Sequence, residues 1–170
     1  MKTQHAVVLG CLSLLSGAVI GAHAEVSSYF QQGRTRLSLT AGYGSFNDHN
    51  YGVVGAGVGY YLLEGWEAGI DGEAWLGSKP HIYTISPETR YIFNQFESFK
   101  PYVGGFYKRT MYDTLSDINS VGGRAGFISP LSARTYLSAG LVFEHLYNCD
   151  KTLYDSCSQV YPELGISFAY

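Results

Sequence analysis

Beyond its first 24 residues the chain has no apolar stretch approaching 18 residues, so no helix is expected to span a membrane. Charge is also scarce. Asp, Glu, Lys and Arg make up 15% of the 170 residues, few for a soluble surface, although the mean hydropathy is close to neutral at −0.02. The 11 Lys and Arg are outnumbered by 14 Asp and Glu and form no basic cluster, which argues against nucleic acid as a partner. The glycines include no phosphate-binding loop. Gly55-Ala56-Gly57-Val58-Gly59 reads as strand, and no helix follows it. No cofactor is expected. Of three cysteines, Cys149 and Cys157 lie eight residues apart in a polar segment with no His at ligand spacing, so the expectation is a disulfide and not a metal site.

The first 24 residues account for the one apolar run. Lys2 gives a basic start, an apolar segment runs over residues 6–20, and Ala22-His23-Ala24 has the small-x-small pattern read by signal peptidase. Cleavage after Ala24 leaves 146 residues and a net charge of −4, because the removed segment carries Lys2 and no acid. An exported chain meets an oxidising compartment, which favours the Cys149–Cys157 bond. Residues 25–33 show no pattern and read as a lead-in on the periplasmic side.

From residue 34 onward the pattern has period two, the mark of strands with two unlike faces. Thr35, Leu37, Leu39, Ala41 and Tyr43 oppose Arg36, Ser38, Thr40 and Gly42. Val54, Ala56, Val58 and Tyr60 oppose Gly55, Gly57 and Gly59, and Trp66, Ala68, Ile70 and Ala74 oppose Glu67, Asp71 and Glu73. Residues 81–93, 119–129, 134–147 and 158–170 alternate in the same way. Residues 99–112 are extended but ambiguous, since Lys108 and Arg109 are adjacent. Pro87 and Pro162 fall inside strand candidates, where each removes a ladder donor, and local bulges are the expected accommodation.

Eight strands of about 10–13 residues each match the length a tilted strand needs to cross a bilayer. The placement of charge separates a membrane barrel from a soluble one. Ionised residues fall on the Gly/Ser/Thr face in seven of the eight strands, and the other face is apolar with aromatic residues such as Trp66, Tyr91, Tyr107 and Phe143 near strand ends. A charged face must be hidden from hydrocarbon, because Arg or Lys at the midplane of a barrel exterior costs about 2–4 kcal/mol. The fold class is therefore all-β: an eight-stranded antiparallel up-and-down transmembrane β-barrel over residues 34–170. Short connections at 63–65, 94–98 and 130–133 belong to the end carrying both termini. The longer ones at 113–118 and 148–157 belong to the opposite, extracellular end.

Glu163-Leu164-Gly165-Ile166-Ser167-Phe168-Ala169-Tyr170 resembles the terminal signal by which outer-membrane barrels are recognised for assembly, with Glu163, Gly165, Phe168 and Tyr170 as its key positions. Gly57-Val58-Gly59-Tyr60-Tyr61 before one turn and Lys100-Pro101-Tyr102-Val103-Gly104-Gly105 after another look like turn-flanking segments of the same superfamily. Signal, alternation and terminal motif together resemble the small outer-membrane barrels of the OmpA/OmpX type. That resemblance implies the outer membrane of a Gram-negative bacterium, insertion by the barrel-assembly machinery, contact with outer-membrane lipid and lipopolysaccharide, and a monomer.

An eight-stranded barrel has an interior that side chains fill. The expectation is a plug of paired charges from Arg36, Glu67, Asp71, Glu73, Glu88, Arg90, Arg124, Glu144 and Glu163, with Arg124 and Arg90 paired to carboxylates such as Glu88 and Glu144. Lys108, Arg109 and Lys151 are expected at the outer rim, facing lipopolysaccharide phosphates. His145 has the strand position of the histidine in lipid A deacylases. Tyr147 stands where their serine would be, so no catalytic residue is assigned. The expected role is non-enzymatic, in envelope structure or surface interaction through the outer loops. A lipid-modifying enzyme and a narrow channel are the alternatives.

The cysteine pair makes the first prediction. Mass spectrometry of unreduced protein from the membrane should show one peptide pair linked through Cys149 and Cys157, and alkylation of both thiols without reduction would exclude the bond. In the chain-entropy model a loop this short contributes roughly 2–3 kcal/mol, so Cys→Ser variants should still insert.

Overall fold

A computed structural model describes residues 29–46, 49–77, 79, 81–96, 99–113, 116–132, 134–147 and 156–170, with residues 42–46, 49 and 50 as backbone alone. Eight strands follow one another: β1 (Thr35–Phe46), β2 (His49–Leu63), β3 (Trp66–Gly77), β4 (Ile82–Ile92), β5 (Lys100–Tyr112), β6 (Ile118–Ser132), β7 (Thr135–Leu146) and β8 (Ser158–Ala169). Each pairs antiparallel with its neighbours in sequence, and β1 meets β8 to close the barrel. Closure pairs the first and last strands at the end carrying the termini, through Arg36↔Ala169 to Leu39↔Ile166, so the sheet forms a ring, the arrangement that lets strands cross hydrocarbon.

Face assignment follows the alternation. Leu37, Leu39, Val54, Val58, Tyr60, Trp66, Ile70, Leu141, Phe143 and Leu164 are exposed on the outer surface, whereas Arg36, Glu67, Glu88, Arg90 and Glu144 are buried inside. The ambiguous fifth strand resolves in the same sense. Lys100, Tyr102 and Phe106 are buried, Lys108 points inward, and Val103, Tyr107 and Arg109 face out. Arg109 is the one Asp, Glu, Lys or Arg side chain on the outer face of a strand among the described residues. It lies three residues before the end of β5 at Tyr112 and bonds Asp117 in the following loop.

The expected bulges at the two prolines are absent, and the reasons differ. Along β4–β5 the register runs from Ile82↔Tyr112 to Ile85↔Arg109 and resumes at Glu88↔Phe106 with the same offset. Pro87 faces β5 without a donor, and the hydroxyl of Ser86 donates instead to the Tyr107 carbonyl at 3.1 Å. On β8, Pro162 pairs in unbroken register with Leu141 of β7, and its missing N–H faces β1. There the register comprises Arg36↔Ala169 through Leu39↔Ile166, extended one position by the mutual Thr35 and Tyr170 backbone bonds. From Thr40 and Gly165 toward the loop end no β1–β8 pairing continues, so no ladder is interrupted.

Within residues 25–33, whose sequence shows no pattern, Tyr29 and Phe30 are buried in the mouth of the barrel. The Phe30 ring meets Tyr61 at 5.8 Å and Tyr136 at 5.4 Å, both edge-on, and Ile92, Tyr102, Ile128 and Ala169 complete the cluster. Backbone bonds pin the segment in place. Gly65 N donates to the Phe30 carbonyl at 2.7 Å and Gly33 N to the Tyr61 carbonyl at 2.9 Å. Gly33 (φ 88°) and Gly65 (φ 72°) both have left-handed backbones that favour glycine. Residues 1–28 lie outside the described residues, as does the cleavage site expected after Ala24.

This cluster predicts that Phe30→Ala lowers barrel stability by about 3 kcal/mol, the low end for a buried Phe truncation. The shift should appear in urea or thermal unfolding monitored by heat-modifiable gel mobility. An unchanged midpoint would mean that the ring adds nothing to the fold.

Candidate functional site

Alternation turns charged side chains of seven strands inward, with only β2 contributing none among the described residues, and the closed circle then brings them together. In the middle of the lumen Arg36 of β1 donates from Nε to Glu67 Oε1 of β3 at 2.5 Å and from Nη2 to Glu88 Oε1 of β4 at 2.7 Å. Its Nη2 is also 3.6 Å from Asp71 Oδ1. Glu88 receives two further guanidinium groups, Arg90 Nη2 at 3.2 Å and Arg124 Nη1 at 3.1 Å. Arg124 reaches on to Glu163 Oε2 of β8 at 3.3 Å, and Glu163 Oε1 accepts the Tyr102 hydroxyl at 2.6 Å. Aromatic faces occupy the space that remains: Arg90 lies over Tyr102 at 5.0 Å and Arg124 over Phe106 at 4.9 Å.

A second cluster lies toward the loop end. Glu144 of β7 accepts Lys108 Nζ at 2.9 Å, the Tyr161 hydroxyl at 2.8 Å, Ser120 Oγ at 2.5 Å and Gln159 Nε2 at 3.3 Å. Lys108 Nζ also bonds the Tyr161 oxygen at 3.0 Å. Two sequence expectations are corrected here. Glu144 pairs with Lys108 and not with Arg90 or Arg124, and Lys108 is not a rim cation for phosphate because its ammonium points into the barrel. Glu73 faces inward as expected, but its described polar contact is the Thr84 hydroxyl at 3.4 Å and no ion pair. Arg109 does lie at the outer end, engaged by Asp117 at 2.7 Å. Lys151 and Cys149, with most of the β7–β8 loop, lie outside the described residues.

Three layers therefore fill the lumen: the aromatic cluster at the terminal end, the arginine–carboxylate network at mid-height and the Lys108–Glu144 cluster above it. Sequence reading found the charged members of the middle layer by parity. It missed Tyr102, Tyr161, Ser120 and Lys108, whose strand facing or uncharged nature gave no signal, and it missed Tyr29 and Phe30. Glu67 Oε2, Arg90 Nε and Arg124 Nε have no hydrogen-bond partner among the described residues, so charge pairing more than complete hydrogen bonding holds the middle layer.

At the outer rim the structure supplies what Tyr147 did not. His145 Nδ1 is 2.8 Å from the hydroxyl of Ser158, its register partner on β8, and both side chains face outward. The Tyr147 ring meets the imidazole edge-on at 6.1 Å. A working acyl-transfer site also needs a group that orients the imidazole and donors aimed at a developing oxyanion. Among the described residues no carboxylate bonds this ring. The backbone N–H of Ser158 is taken by Ser156 Oγ at 3.2 Å.

No family model and no curated protein matches the sequence. Solved structures do match in fold. The N-terminal β-barrel domain of OprF from Pseudomonas aeruginosa aligns with a TM-score of 0.60 and 15% identity, over 82% of this chain and 98% of that one. Neisserial surface protein A aligns with a TM-score of 0.54 and 15% identity, over 80% and 94%. The chain shares the fold of these small eight-stranded barrels. Its apolar outer belt and inward charges are the arrangement that a lipid surround requires.

The network predicts unequal costs for its arginines. Arg36→Ala should cost about 3–5 kcal/mol, because Glu67, Asp71 and Glu88 lose a shared buried partner. Arg124→Ala should likewise destabilise the barrel. Arg109→Ala, at an exposed pair, should cost under about 1 kcal/mol. Equal effects of Arg36→Ala and Arg109→Ala in refolding titrations would contradict this layering.

Proposed function

We propose that the protein is a non-enzymatic outer-membrane barrel that supports the envelope or makes surface contacts through the loops at the end opposite its termini. The observation that carries this reading is the filled lumen. A closed aromatic mouth beneath a paired ionic layer suits a stable anchor for loops better than a conduit. Inward carboxylates engaged by three arginines and a lysine are poor candidates for general acid–base work on a substrate. The β7–β8 loop, with Asp150, Lys151, Tyr154 and Asp155 held by a Cys149–Cys157 bond, is the leading contact surface in this reading. Outer-leaflet lipopolysaccharide is the nearest partner, with Arg109 as its remaining described rim cation. Export by the segment ending at Ala24 and assembly through Phe168 and Tyr170 complete the proposal.

The His145–Ser158 pair supports a second reading, hydrolysis of an outer-leaflet acyl ester with Ser158 Oγ as nucleophile and His145 as base. The missing orienting carboxylate and oxyanion donors place it behind the first.

Two measurements on the purified protein separate these readings. In planar bilayers the barrel should give no stable conductance, and discrete channel openings would replace the anchor reading with a channel. Incubated with lipopolysaccharide and phospholipid, it should release no fatty acid. Release that disappears in both His145→Ala and Ser158→Ala would establish the hydrolase instead.

A further inference from the structure

The β1–β8 interface has the shortest ladder in the ring. Its register runs from Arg36↔Ala169 to Leu39↔Ile166, extended by the mutual Thr35 and Tyr170 backbone bonds. On its two sides, β1–β2 runs from Thr35↔Tyr60 to Phe46↔His49 and β7–β8 from Thr135↔Phe168 to His145↔Ser158.

Residues 29–33 turn back from β1 into the mouth of the barrel. The reversal is made at Gly33, whose φ of 88° lies in the left-handed region, and is closed by Arg34 N donating to the Gln31 carbonyl at 3.2 Å. This strap meets the strands on both sides of the seam. On one side Phe30 packs edge-on against Tyr61 of β2, Gly33 N donates to the Tyr61 carbonyl, and Gly65 N in the β2–β3 turn donates to the Phe30 carbonyl. On the other side Phe30 packs edge-on against Tyr136 of β7, and the Tyr29 hydroxyl donates to the Ser132 carbonyl of β6 at 3.3 Å. The Tyr61 and Tyr136 hydroxyls are themselves 3.4 Å apart. In the closed ring β8 and β1 lie between β7 and β2, so these contacts reach over both strands of the seam from inside.

The other two layers hold the seam less directly. The ionic layer joins β1 to β8 by a longer path, from Arg36 through Glu88 of β4 and Arg124 of β6 to Glu163. The Lys108–Glu144 cluster reaches β8 through Tyr161 and Gln159, but its described members include no residue of β1. The strap is also continuous with β1. Withdrawing it removes Phe30 from between Tyr61 and Tyr136 and frees the start of the strand that carries one half of the short ladder.

We propose that residues 29–33 are an internal clasp on the β1–β8 seam. The strap docks as the ring closes, and when it is withdrawn the wall parts first between β1 and β8 at the end carrying the termini. A short ladder facing hydrocarbon is thereby supported by an aromatic bridge on its inner side. The filled mouth is a fastener as well as a plug.

Backbone parity supplies an internal control for the test. Thr35 and Tyr170 exchange both of their bonds across the seam, so Leu37 and Phe168 also direct their amides across it, whereas the Ser38 amide faces β2 and the Ser167 amide faces β7. The experiment is amide hydrogen exchange, read by NMR on isotope-labelled protein in phosphatidylcholine nanodiscs. Two variants loosen the strap in different ways. Phe30→Ala removes the bridging ring, whereas Gly33→Val keeps every ring of the mouth and strains the turn. Each should speed exchange at Leu37 and Phe168 at least about tenfold more than at Ser38 and Ser167. Phe106→Ala truncates an equally large buried ring on β5, across the ring from the seam, and should show no such preference. Equal changes at all four amides, or none, in both strap variants would overturn the clasp. A seam-selective rise in Phe106→Ala as large as that in Phe30→Ala would overturn it too, because the seam would then be the weakest interface whatever is removed.

Discussion

The contact of Glu88 with Arg36, Arg90 and Arg124 is the interaction on which the rest of this structure depends. A strand that crosses a bilayer must hide its charges, and an eight-stranded barrel offers a single narrow place to hide them. Once there, each charge has left water and needs an opposite charge within reach. Glu88 meets that demand for three strands at once, because Arg36 approaches from β1, Arg90 from its own strand and Arg124 from β6. The same contacts couple strands that share no hydrogen bonds with one another, so the lumen layer holds the barrel across its diameter while the ladders hold it around its circumference.

Small residues are what make that layer possible. Gly57 and Gly59 on β2 leave room for Asp71 and Glu67, whose carboxylates occupy the space a Cβ at those positions would need. Gly122 does the same for the ring of Phe106, against which Arg124 packs. The abundance of glycine on the inward face is therefore a volume requirement: large charged and aromatic side chains from one strand need an empty place on the strand beside or across from it. That requirement, more than backbone freedom, explains why Gly alternates with apolar residues in β2.

Period-two alternation made the strands and their faces legible, and the sign of the charge placement made the membrane legible. Arg36, Glu67, Asp71, Glu88, Arg90, Arg124 and Glu163 were recognisable as inward because each stood on the small-residue face of a clear strand. Which carboxylate met which cation was not legible, since partners come from register and from distances across the lumen. Glu144 shows the limit: it pairs with Lys108 on β5, the strand whose adjacent Lys108 and Arg109 hid its alternation. Tyr29 and Phe30 gave no signal because two residues cannot show a period. Ser158 was invisible as a partner of His145 for a related reason, as the two are neighbours only through the β7–β8 register.

The two strand prolines show how the same chemical defect has opposite consequences in different parts of one wall. Pro87 lies in an interface paired above and below it, so its missing donor leaves the Tyr107 carbonyl to be satisfied, and the preceding Ser86 hydroxyl does so without moving the register. Pro162 faces β1 beyond Leu39 and Ile166, where the β1–β8 register has already ended, so the donor it lacks is one that no described pairing with β1 requires. A proline inside a paired interface needs a neighbouring hydroxyl to satisfy the facing carbonyl, whereas one beyond the end of a register does not.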